Sequence, residues 1–312
     1  KKSEVVGITA RVVQAAMLGG DCHPATPIGI NLPNAEWIRE RYGSKSVTLD
    51  NITYAYNQAS LNSGVLDEFA YSDEEKELVR TYGYVGGNVH TDLHECLGHG
   101  SGKMLPGVGQ EALKNYYSTI EEARADLFAL YYVMDPKLVE LGVIPSLDVA
   151  KSEYCNYIRN GLMVQLTRVK LGNNLEESHM RNRQLIASWV YEKGKETNVI
   201  ERVNREGKTY FTIRDYEALR MLFGRLLAEV QRVKSEGDFE GARDLIENYG
   251  VRVDPVLHQE VLERYQKLNV APYAGFVNPK YRLVEKEGSV VDVEIEYPTD
   301  FLTQMLEYGN NN

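Results

Sequence analysis

In the stretch HTDLHECLGHGSGK, His90 to Lys103, Glu95 stands directly after His94, and a second histidine, His99, follows one helical turn later. A helix carrying His-Glu and then a further His can aim two imidazoles at one zinc ion and a carboxylate base at the ion's water. The usual separation of the histidines is four residues, and here it is five. A regular helix advances about 100° per residue, so positions four apart lie roughly 40° from one another and positions five apart roughly 140°. One inserted residue taken up as a π-bulge restores the shared face. Gly98, directly before His99, is the residue type that tolerates such a distortion or ends the helix there. The spacing therefore predicts a departure from α geometry between His94 and His99.

A catalytic zinc needs a third protein ligand and an open position. The next acidic cluster, STIEEARAD from Ser118 to Asp126, can supply it. Ser118 fits a helix N-cap with Glu121 as its capping-box partner. Glu122 then falls on the adjacent side, with Asp126 one turn further along the same stripe. Glu122 becomes the candidate ligand and Asp126 the acceptor for a histidine N–H. Ala123, Ala125 and Ala129 keep this helix thin enough for another to approach closely. The residues alone leave a second reading open, in which Glu122 and Asp126 are a solvated acidic face. His90, four before His94, is a rival partner, but Thr91 stands where its glutamate would be. Cys96, two after His94, belongs to the opposite side of the helix and reads as core. GSGK lacks the earlier glycine of a phosphate loop, since Leu97 occupies that place. His23 and His258 have no recognisable partner.

The elements that must position these groups are mostly helical. Helices are expected over residues 1–20 and Ala35–Gly43, then from a Ser72 cap to Gly83, and from Ser118 to the residues before Pro136. Further helices follow from Ser146 to Gly172, from His179 to Gly194, and from Asp215 onward, with two more before Pro272. The segment 19–34 is rich in Gly, Pro and Asn and reads as loop. Two hairpins turn at Glu206-Gly207 and near Gly288. The 312 residues, 43% hydrophobic and 26% charged, suit one substantial domain. A net charge of −10 argues against a nucleic-acid partner. No apolar run is long enough to span a membrane. Three scattered cysteines, Cys22, Cys96 and Cys155, argue against a disulfide framework and a cysteine-rich zinc module.

HECLGHGSGK followed by EEARAD resembles the dipeptidyl peptidase III family of zinc exopeptidases, which carries H-E-L-L-G-H and E-E-C-R-A-E/D. Cys96 replaces a leucine and Ala123 a cysteine. The resemblance implies His94, His99 and Glu122 as ligands of one zinc per chain. GINLPN is similar to the family's G-I-N-I-P-N, which implies that Asn31 and Asn34 hold a peptide backbone. SHMRNRQLIASWVYEKG resembles the family helix whose histidine steadies the reaction intermediate, here His179, with Arg183 matching an arginine at the cleft. On its own residues, the first of these would be a turn and His179 an ordinary histidine at a helix start.

The fold expected is mainly α with minor β hairpins, the helical zinc-bearing lobe of a two-lobed metallopeptidase. Residues 1–312 would form that single lobe, with the family's N-terminal lobe missing from the chain and the isolated piece poorly active. The activity implied is release of dipeptides from the N-terminus of short peptides, with Glu95 as general base and His179 donating to the oxyanion. The alternative is a zinc-bearing peptide-binding module without turnover. A cytoplasmic location is the expectation, with export left open.

Overall fold

The computed structural model describes residues 9–19, 28–32, 38, 41–43, 45–270 and 276–310. Three short strands open the chain: β1 (Thr9–Val13), β2 (Gly29–Leu32) and β3 (Lys45–Leu49). They form one sheet in the order β1-β3-β2, with β1 parallel and β2 antiparallel to β3. This corrects two sequence expectations. The helix expected over residues 1–20 contains a strand, because the β-branched Thr9, Val12 and Val13 find a pairing partner in β3. The loop expected between residues 19 and 34 contains β2. Of the helix expected at residues 35–43, Ile38, Arg41 and Tyr42 are helical, and most of the rest lies outside the described residues.

Helices follow as α1 (Asp50–Asn62), α2 (Val65–Phe69) and α3 (Asp73–Asp92). The Ser72 hydroxyl caps α3, accepting from the Glu75 amide at 3.2 Å. The helix does not stop at Gly83 but runs on to Asp92. A Cβ on Gly86 would come within 3.2 Å of the Val149 carbonyl, so the glycines serve close packing against α6 (Asp148–Leu162) rather than termination. The helix expected to continue to Gly172 ends at Leu162. Met163 departs to φ −138°, and a 3-10 turn (Val164–Arg168) follows. The buried ring of His258 accounts for that turn, its Nε2 lying 3.1 Å from the Leu166 carbonyl and 3.0 Å from that of Val169.

At the centre lies α4 (Tyr117–Val133), with side chains buried on almost every face, as an interior helix requires. It packs against α3, α6, α7 (Ser178–Lys193) and α8 (Tyr216–Glu236). The short α5 (Pro136–Glu140) follows it, and α9 (Phe239–Tyr249) and α10 (Pro255–Lys267) complete the bundle. The hairpin β4 (Ile200–Arg205) and β5 (Lys208–Ile213) turns at Glu206-Gly207, where φ is 54° and 77°. A second hairpin, β6 (Lys280–Lys286) and β7 (Ser289–Glu296), precedes α11 (Phe301–Asn310). The fold is mainly helical with minor β structure. No helix among the described residues is long and apolar enough to cross a membrane.

Candidate metal centre

The histidines leave the end of α3 on a π-helical segment, Leu93–Gly98. The His99 amide donates to the His94 carbonyl at 2.9 Å, an i→i−5 bond that absorbs the extra residue. The two rings thereby meet nearly edge to face, with centroids 4.7 Å apart. Gly98 has a second reason to be glycine. A Cβ there would lie 2.8 Å from Ala125 Cα, so the segment rests directly on the backbone of α4.

Helix α4 begins at Tyr117, off a 3-10 turn (Gln110–Tyr116), and Ser118 is inside its first turn rather than at the cap. The capping box expected of Ser118 and Glu121 does not form. Glu121 is instead buried, within 2.9 Å of His99 Nδ1, and it also takes Arg124 at 2.7 Å and Lys234 at 2.8 Å. Glu122 points the other way. Its Oε2 lies 3.3 Å from His94 Nε2 and 3.7 Å from His99 Nε2. One donor atom from each of His94, His99 and Glu122 falls within 4.8 Å of the others.

Asp126 holds the other side of His94. Its Oδ1 lies 2.7 Å from His94 Nδ1 and 3.2 Å from His90 Nε2. Its Oδ2 accepts from the Tyr157 hydroxyl at 2.7 Å and from Asn182 Nδ2 at 2.8 Å. Each histidine of the pair thus meets a carboxylate at Nδ1, which fixes the Nδ1–H tautomer and leaves Nε2 as the lone-pair donor. His90, His94 and Asp126 form a second compact group. That group suits an ion less well, because protein donors already occupy both oxygens of Asp126, while Glu122 Oε2 is solvent-excluded and accepts no well-formed hydrogen bond.

The electrostatics follow from the crowding of buried imidazoles and carboxylates. Burial pushes Glu122 up, but contact with His94 and His99 outweighs it and holds the carboxyl at about 2. Burial likewise pulls His94 down, and Asp126 with Glu122 lift it to about 10. His90 is raised to about 9, burial being overcome by Glu153 and Asp126. Protons fill the carboxylate-rich centre where a metal would compete for the same donors.

On the His94 side of this centre opens a cavity of about 800 Å³, whose walls include Gly29, His94, Glu95, Asp126, His179 and Arg183. Glu95 lies against β2, its Oε1 3.6 Å from where a Gly29 Cβ would stand. His179, in the first turn of α7, brings Nδ1 to 3.5 Å from Glu122 Oε2, with its side chain 53% exposed. Asn31 lies in β2 opposite Ser46. Asn34 lies outside the described residues. Tyr157 and Asn182 escaped the sequence reading, while Glu121 was read only as a cap and His90 only as a rival to the histidine pair. Only the doubled glutamate of EEARAD could have signalled the role of Glu121, since two adjacent carboxylates cannot both face solvent on a helix buried all round.

A family model described as Peptidase family M49 matches residues 22–112 and 108–294. Among curated proteins, the chain is similar to dipeptidyl peptidase 3 of Mus musculus, 28% identical over 313 residues covering 84% of this chain and 42% of that protein. Nudix hydrolase 3 of Arabidopsis thaliana is 27% identical over 281 residues, covering 86% of this chain and 33% of its own. Among solved structures, DPP III from Caldithrix abyssi superposes with a TM-score of 0.68 at 26% identity, covering 86% of this chain and 48% of that one. The chain spans less than half the length of these relatives.

Proposed function

The chain belongs to peptidase family M49, and from that premise we propose that it forms the zinc-bearing lobe of a metallo-exopeptidase that releases dipeptides from the N-terminus of short peptides. The observation that carries this reading is the convergence of His94, His99 and Glu122, with both Nδ1 atoms held by carboxylates. One zinc ion per chain would be held by these three residues. When bound, zinc polarises the scissile carbonyl and acidifies a water toward neutrality.

The remaining chemistry belongs to side chains of this protein. Glu95 projects from the π segment beside the ligands, and it accepts the water's proton and passes it to the leaving amine. His179, half exposed beside Glu122, donates to the developing oxyanion. Asp126 and Glu121 keep the two imidazoles in register, so little reorganisation accompanies the reaction. β2 pairs only with β3 among the described residues and lies against Glu95, so an extended peptide adding to its other edge would run past that carboxylate. Asn31 and Asn34 would hold that peptide's backbone, and Arg183 lies on the wall of the same cavity. Conversion of a dipeptidyl arylamide by the zinc-loaded protein, measured beside its metal content, tests the reading. Zinc held at unit stoichiometry with no turnover of any dipeptidyl substrate, even with the other lobe supplied, would leave only peptide binding.

A further inference from the structure

Arg168 ends the 3-10 turn after α6, and Arg183 sits one turn beyond His179 on α7. Both line the cavity that contains His94 and Glu95. The buried guanidinium groups Arg124, Arg159 and Arg264 meet carboxylates, Glu121, Glu75, and Glu68 with Glu260, whereas Arg168 is exposed and Arg183 half-buried on the cavity wall. Arg168 and Arg183 make no ion pair or side-chain hydrogen bond among the described residues. The acidic groups nearby are engaged elsewhere. Glu177 caps α7 through the amides of His179 and Met180, Asp126 takes four donors, and Glu153 faces His90. Two unneutralised guanidiniums thus face one cavity of a protein with net charge −10.

The mount of Arg168 is rigid. His258 holds the carbonyls of Leu166 and Val169 on either side of it. Gln165 Nε2 donates to the Gly161 and Met180 carbonyls, at 3.0 and 3.2 Å, which ties the turn to α7. A planar guanidinium on a fixed backbone is suited to two-pronged recognition of a carboxylate at low entropic cost.

We propose that Arg168, together with Arg183, forms a carboxylate-binding subsite that takes the C-terminal carboxylate of a short peptide and so selects substrates by length. This rests on the exopeptidase reading above. A peptide processed from its N-terminus carries one obligatory carboxylate, at its far end, and a cleft anchored there favours chains that just reach it. An acidic side chain near that end offers the same chemistry.

The test is calorimetric titration of the zinc-loaded Glu95→Gln protein with three peptides of one sequence. The first ends in a free carboxylate, the second in a carboxamide, and the third in a carboxamide with Glu replacing a neighbouring Gln. The free acid should bind roughly 10- to 100-fold tighter than the amide, the range of a charge-assisted contact. That ratio should fall to about one in Glu95→Gln/Arg168→Ala, and partly return with Arg168→Lys, which keeps the charge but loses the fork. Recovered affinity for the third peptide would assign the subsite to an acidic side chain as well. Equal binding of acid and amide by the parent, or a preference that survives Arg168→Ala with zinc affinity intact, overturns the proposal. Should Arg168→Ala fail to fold, Arg168→Gln and the salt dependence of the parent's preference decide the matter, since a preference indifferent to ionic strength is not ionic. Failure of the two readings can be told apart. Preference for the acid with no hydrolysis by the Glu95 protein, even with the other lobe supplied, sinks the peptidase reading and leaves the subsite. Hydrolysis of acid and amide at equal kcat/KM sinks the subsite and leaves the peptidase.

Discussion

Replacing Gly98 with alanine adds a single methyl group, yet it strikes the contact on which the candidate metal centre rests. The new Cβ would stand 2.8 Å from Ala125 Cα, 2.9 Å from Ala125 Cβ and 3.1 Å from the Ala125 carbonyl oxygen. Two of those three atoms are backbone of a buried helix, so no side chain can swing aside. Either the π segment lifts from α4 by several tenths of an ångström or α4 itself shifts. Forcing a methyl into a packed contact of this kind costs about 1–3 kcal/mol. The separation matters twice, because His94 and His99 ride on the lifted segment while Glu122 stays on α4. The hydrogen bonds from His99 to Glu121 and from His94 to Asp126 span the same seam. Their loss should weaken zinc binding by about 10- to 100-fold, as loss of a ligand's supporting contacts does. Thermal unfolding of the metal-free protein measures the first effect, and zinc competition with a chromogenic chelator the second. A Gly98→Ala protein with unchanged melting temperature and unchanged zinc affinity would show that the seam is not under this constraint, and the positional argument would fall.

Other outcomes follow from the same geometry. His94→Ala or Glu122→Ala should strip the metal, because two protein ligands rarely hold zinc; inductively coupled plasma analysis after dialysis checks this, and near-stoichiometric zinc in either variant would point to another ligand set. Glu95→Gln should keep zinc and lose peptide hydrolysis by about 100-fold or more, with rates within a few-fold of wild type placing the base elsewhere. Zinc binding should release protons at neutral pH, since, against burial, Asp126 and Glu122 raise His94 to about 10 and it must give up a proton to coordinate. Affinity then rises with pH, and calorimetry in buffers of different ionisation enthalpy counts the protons; a count of zero contradicts the assignment. Asp126→Asn presents one acceptor where four donors now converge, so it should destabilise the protein by about 3–5 kcal/mol in denaturant titration, the range for breaking a buried ionic group.

The five-residue spacing of His94 and His99 determined the distortion of the helix before any coordinates, because no regular helix can aim both rings one way. The caps at Ser72 and Gly194 and the turns at Glu206-Gly207 and Glu287-Gly288 were equally local, since each depends on residues within a few positions of itself. Glu122 and Asp126 were legible as a stripe on one helix, whatever started that helix. What needed the tertiary structure was everything decided by a neighbour distant in sequence. Thr9–Val13 became a strand because β3 lay beside it, and Gly83 and Gly86 lie inside α3 because α6 packs against them. Glu121 turned from a supposed cap into the support for His99 because Arg124 and Lys234 surround it in the interior. His258, partnerless in the sequence, found two carbonyls about ninety residues away. Periodicity records which face a residue occupies, but the burial that makes a carboxylate seek an imidazole or an arginine exists only once the helices have packed.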